Sequence, residues 1–104
     1  MVASIERGRD EIDAIDAELL SLLNRRAGVA LEVGRRKRGA GLPLRDAKRE
    51  REILTRARAL TRGPMGPAAI ERLFRAILAE SRRATRHTLA REPALRAAGR
   101  RACA

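Results

Sequence analysis

The feature that most constrains this chain is an unbroken helical pattern at its start. From Ile5 to Arg38 there is no proline, and apolar residues recur at heptad spacing. One row runs Ile5, Ile12, Leu19, Arg26, Val33, and the other Gly8, Ile15, Leu22, Val29. Ser4 is expected to cap the start, and Gly39, Gly41 and Pro43 supply the stop. A helix over this stretch would be about 51 Å long. A compact chain of 104 residues has a diameter of only about 35 Å. The helix therefore overhangs its own domain and leaves its apolar stripe in water. A second copy of the chain, with the long helices side by side, would cover it, so a homodimer is expected.

The rest of the chain reads as two further helices. After Gly39-Ala40-Gly41-Leu42-Pro43, Asp46 can cap a second helix running to about Leu60. Its inward face would hold Ile53, Ala57 and Leu60, with Arg49 and Glu50 one turn earlier. Gly63-Pro64-Met65-Gly66-Pro67 breaks the chain again. A third helix is expected from about Pro67 to Arg91, with proline suited to its first turn. Its stripe is Ile70, Leu73, Phe74, Ile77, Leu78, then Ser81, Ala84 or Thr85, and Thr88. Glu92-Pro93 ends it. Residues 1–91 are expected to form one helical domain, and residues 92–104 a basic, disordered tail. There is no internal repeat and no strand pattern, so the fold class is all-α.

Composition excludes several functions. Phe74 is the only aromatic residue, which argues against a β-sandwich or barrel and removes the stacking platforms of single-strand nucleic-acid binders. No apolar run approaches the ~18 residues of a membrane span. Glu6, Arg7, Arg9 and Asp10 stand where a signal peptide would be apolar, so a cytoplasmic location is expected. Cys103 has no cysteine to pair with, and His87 alone beside it makes no metal site. The net charge of +11 is uneven. Residues 1–33 carry four basic and seven acidic side chains, residues 34–62 eleven and three, and residues 63–104 nine and three. Such a field attracts anions in general. With 22 arginines among 24 basic residues in an alanine-rich chain, it is weak evidence for a nucleic-acid partner.

Polar residues on the apolar stripes carry more information. Arg26 shares a row with Ile12, Leu19 and Val33, so it should face a carboxylate or a ligand anion. An interface salt bridge is the plainer explanation. Lys37 and Arg9 lie one position off the two rows, where a solvated charge is the ordinary outcome. For Arg49 and Glu50 it is pairing on the helix surface. For Ser81 it is a bond back to its own helix. His87 could serve as an acid or base, but a solvent-facing histidine is the commoner case. Taken together, three helices each carry polar groups at one end of an apolar stripe, which suggests a shared, mainly cationic cavity suited to a small dicarboxylate. Without a Cys/His or Ser/His/Asp set, a phosphate loop or zinc spacing, an enzyme here would work by electrostatics and positioning.

These residues resemble the all-helical chorismate mutase family over about residues 5 to 89. Arg9-Asp10-Glu11-Ile12-Asp13-Ala14-Ile15-Asp16 through Leu19-Leu20 is similar to its opening signature. Arg25-Arg26 and Val33-Gly34-Arg35-Arg36-Lys37 resemble the end of the first helix. Pro43-Leu44-Arg45-Asp46 with Arg49-Glu50-Arg51-Glu52 resembles the loop and start of the second. Leu73-Phe74-Arg75-Ala76-Ile77-Leu78-Ala79-Glu80-Ser81 resembles the third. Each fragment alone is weak, and the ordered set at family spacing is strong.

The resemblance implies an interlocked homodimer of three-helix chains with two sites, and an isomerase that needs no cofactor. It would convert chorismate to prephenate in the shikimate pathway, toward the aromatic amino acids. By family role, Arg26 and the other subunit's Arg9 bind the substrate carboxylates. Arg49 adds positive charge, and Ser81 touches the ring carboxylate. Glu50 and the backbone near Asp46 hold the ring hydroxyl, and Lys37 bonds the ether oxygen. Relatives commonly carry Gln or Glu one turn after the serine as the second donor to that oxygen. This chain has the shorter Thr85. Two other functions stay open on the same residues. One is an enzyme on the same scaffold, either an isochorismate pyruvate-lyase or an aminodeoxychorismate mutase. The other is a non-catalytic basic helical dimer binding nucleic acid or a partner enzyme. An exposed basic stripe would favour the last, and the placement of Arg26 in the apolar seam speaks against it.

Overall fold

The computed structural model describes residues 2–92. Three helices make up the fold: α1 (Val2–Gly39), α2 (Ala47–Leu60) and α3 (Pro67–Arg91). No strand occurs among the described residues. The tail expected to be disordered, with Cys103, lies outside them apart from Glu92.

α1 has 38 residues, about 57 Å of helix. It accounts for an outline of 67 × 27 × 18 Å and a radius of gyration of 18.6 Å, against about 13 Å for a compact chain of this size. The helix begins at Val2, ahead of Ser4. Ser4 is therefore not its cap: inside the first turns, its hydroxyl accepts a long hydrogen bond from Arg7, 3.5 Å. The stop follows the expected chemistry. Gly41 takes a left-handed φ of +72°, Gly41 N–H bonds Arg38 O at 3.2 Å, and Leu42 N–H bonds Lys37 O at 2.8 Å. This is the paired closure of a Schellman turn, which needs glycine at its left-handed position.

α2 starts where expected. Asp46 is its N-cap, and Oδ1 accepts from Arg49 N–H at 3.0 Å. α3 has the expected bounds, with proline in the first turn. It packs against both α1 and α2. Leu54 and Ala57 of α2 and Leu78, Thr85 and Leu89 of α3 are buried, together with Gly34 of α1. Two expectations fail here. Leu60, expected inside, is 64% exposed, and Leu73 is 48% exposed. α2 carries adjacent apolar rows, and contact with α3 selects the one containing Leu54. Gly34 marks a close approach of α1 to α3. A Cβ there would lie 2.7 Å from the Thr85 methyl, too close for any side chain without movement.

Polar ties fix the helix ends. Arg35 Nε donates to Glu92 at 2.8 Å, and Arg38 Nη1 donates to Leu89 O at 2.7 Å, which anchors the C-terminal end of α3 to α1. Arg58 of α2 meets Glu71 of α3 at 3.0 Å. The hydrogen bond from Arg75, with the nearby charge of Arg58, holds the Glu71 carboxyl below its ordinary range. Its contribution to stability is present above that range and is lost as pH falls through the lowered value.

α1 joins the described core only through its C-terminal third. Residues 2–25 are exposed throughout, and Ile5, Ile12, Ile15, Leu19 and Leu22 are each more than half exposed. The overhanging apolar stripe read from the sequence is thus present, and nothing within the described chain covers it.

Candidate active site

Helical periodicity aims one row from each helix into a single cavity of about 290 Å³, near the lower end of the range for small-molecule sites. From α1 the row is Arg26, Ala30, Val33 and Lys37. From the loop and α2 it is Asp46, Arg49, Glu50 and Ile53. From α3 it is Leu78, Ser81, Arg82 and Thr85. The spacings of three and four residues keep each row on one helix face. Apolar side chains form the walls, and four cations with two carboxylates form the polar lining.

The structure brings together seven of the eight residues singled out in the sequence: Arg26, Lys37, Asp46, Arg49, Glu50, Ser81 and Thr85. Arg26 Nη1 donates to Ser81 Oγ at 3.3 Å. It makes no ion pair with a described carboxylate of its own chain. Ser81 in turn bonds Arg26 rather than its own helix. Lys37 Nζ donates to Leu44 O at 3.0 Å, which leaves two ammonium donors for other partners. Arg49 remains exposed beside Glu52, 3.7 Å away. Thr85 is 7% exposed. Its methyl lies toward Gly34, and its hydroxyl makes no hydrogen bond with any described residue. The back-bond common for threonine in helices is therefore absent.

Arg9 is the exception. It is exposed and sits about 26 Å from Arg26 along α1, outside the cavity. His87 is also outside, exposed, with Nε2 3.4 Å from Arg91 Nη1. No group of acidic, histidine or cysteine side chains among the described residues could hold a metal ion.

One polar lining residue was missed. Arg82 contacts Glu50 across α2 and α3, and both are largely shielded, at 25% and 17% side-chain exposure. In a chain this rich in arginine, one more carries no signal by type. Its row did carry one, because Arg82 lies four residues after Leu78 and three before Thr85.

Comparisons with known proteins point to one family. A family model described as chorismate mutase type II matches residues 8–86. The bifunctional chorismate mutase/prephenate dehydratase of Neisseria gonorrhoeae is 43% identical over 72 residues, covering 69% of this chain and 19% of that protein. Its counterpart in Escherichia coli K12 is 39% identical over 74 residues, covering 70% and 19%. The chain thus spans about a fifth of the length of these relatives. Among solved structures, a chorismate mutase from Thermus thermophilus superposes with a TM-score of 0.73 at 38% identity, covering 74% of this chain and 88% of that one. A matched region that takes in most of α1, all of α2, most of α3 and the whole cavity lining makes this chain a member of the chorismate mutase type II family.

Proposed function

We propose that two copies of this chain form a dimer that rearranges chorismate to prephenate, in the cytoplasm and without a cofactor. The observation that carries the reading is the convergence of Arg26, Lys37, Glu50, Ser81 and Thr85 on one cavity of small-molecule size. The reaction is intramolecular: the ether C–O bond breaks as a C–C bond forms, and no atom enters or leaves. Catalysis then rests on holding the compact diaxial conformer and stabilising charge on the departing oxygen. Arg26, with Arg9 of the partner subunit, suits bidentate grip on two carboxylates. Ser81, already bonded to Arg26, lies beside the same carboxylate, and Arg49 adds positive charge at the rim. Lys37 gives a point contact to the ether oxygen. Glu50, with the backbone near Asp46, accepts from the ring hydroxyl.

The test is incubation with chorismate and with isochorismate, reading substrate loss and product identity. Prephenate from chorismate, with isochorismate untouched, is expected. Pyruvate released from isochorismate would assign the lyase reaction instead. No turnover, together with DNA retardation that weakens steeply with salt, would leave the non-catalytic reading.

Thr85 gives a sharper test. Its free hydroxyl is one turn beyond Ser81 and reaches less far than glutamine. A well-placed donor to developing charge is worth roughly 10²–10³ in rate. Thr85→Gln is expected to raise kcat on chorismate, and the near-isosteric Thr85→Val to cost little. A large loss in Thr85→Val would show that the short hydroxyl is already the working donor.

A further inference from the structure

We infer that Arg82 sets the charge requirement beside Glu50, so that the site accepts a ring bearing a neutral hydroxyl there in preference to one bearing an ammonium. This rests on the reading above, in which Glu50 meets the ring substituent. Arg82 Nη1 donates to Glu50 Oε2, and Arg45 Nε lies 3.6 Å from Oε1. Each carboxylate oxygen therefore already faces a guanidinium, with lone pairs left to accept from a donor in the cavity.

A carboxylate standing alone at this wall would draw a cation. Paired with Arg82, it offers an acceptor without net negative charge. Arg26, Lys37 and Arg49 line the same cavity, so an ammonium arriving at Glu50 enters positive surroundings, whereas a neutral hydroxyl donates a hydrogen bond at no Coulombic cost. The pairing also differs from the surface ion pairs of this chain. Arg83, the next residue on α3, reaches Glu80 with 80% of its side chain exposed, while Arg82 crosses to α2 and is three-quarters shielded. The plainer alternative is a strut that only holds α2 on α3.

The experiment compares kcat/KM for chorismate and for 4-amino-4-deoxychorismate in the wild-type protein, Arg82→Gln, Arg82→Met and Arg82→Lys. The wild type should favour the hydroxy substrate. Both neutral variants should shift the ratio toward the amino substrate by about tenfold or more, the scale of removing one nearby unit charge. The shift should fall mainly on KM for the amino substrate, and Arg82→Lys should keep the wild-type ratio. Gln and Met give two chances of a folded neutral variant, with helicity checked by circular dichroism. An unchanged ratio in a folded neutral variant that still turns over chorismate overturns the proposal and leaves the underlying activity standing. So does a shift as large in Arg82→Lys as in Arg82→Gln, or a wild-type preference for the amino substrate. Turnover of neither substrate by the wild type fails the activity itself, and the proposal falls with it.

Discussion

Arg9→Ala and Arg26→Ala proteins should each lose at least ~10² in kcat/KM on chorismate, and refolding an equal mixture should return up to about a quarter of wild-type activity. The reason is geometric. Arg26 faces the cavity, bonded to Ser81 at 3.3 Å. Arg9 is on the same helix about 26 Å away, exposed, and cannot reach that cavity from its own chain. A side-by-side pairing of two α1 helices can carry it to the other copy's site. A mixed dimer would then hold one site with both lesions and one with neither. Half of the dimers in a random mixture are mixed, so about a quarter of all sites would be intact. Mass spectrometry under native conditions establishes that mixed dimers form. If they form and activity does not return, Arg9 has no role in a shared site. If Arg9→Ala alone keeps full activity, Arg9 has no role at all.

How far the sequence could be read depended on whether a feature is local. Asp46 as a cap, Pro67 in a first turn and Gly41 past a helix end are decided by their own backbone, and all three stand as expected. Which apolar row of α2 faces inward depends on α3, and there the sequence pointed to Leu60 where Leu54 is buried. Ser4 was an acceptable cap by type, yet the helix continues past it to Val2. In the site, a charged or hydroxyl residue on an apolar stripe was a usable signal for Arg26, Ser81 and Thr85, since each is costly there without a partner. Arg82 escaped because the residues around it in sequence include other arginines. Its contact with Glu50 spans 32 residues and exists only once α2 lies on α3. Which side chain meets which substrate atom came from the resemblance, because spacing can bring residues to one cavity without saying what fills it.

The second large effect is expected far from the cavity. Leu19→Glu should abolish turnover, and the variant should no longer sediment as a dimer at micromolar concentration, where the wild type should give about twice 11.5 kDa. Leu19 touches nothing in the site. It lies in the middle of the exposed row with Ile5 and Ile12, 51% open to solvent in the single chain. The buried apolar side chains among the described residues are Leu54, Ala57, Leu78 and Leu89, a small core for a helix about 57 Å long. In the proposed dimer, a second copy would supply most of the burial that stabilises α1. A carboxylate in that seam loses its water without gaining a partner, at a cost of several kcal/mol. Since a homodimer repeats the substitution, two such charges would approach each other. Ala17→Glu, on the side of α1 opposite the two rows, is the control, and it should leave sedimentation and turnover as in the wild type. Circular dichroism on dilution adds a second readout: helix content of Leu19→Glu should fall at concentrations where the wild type holds it. A dimeric, active Leu19→Glu protein would mean that α1 pairs through another face, and Arg9 would then have no route to the partner's cavity.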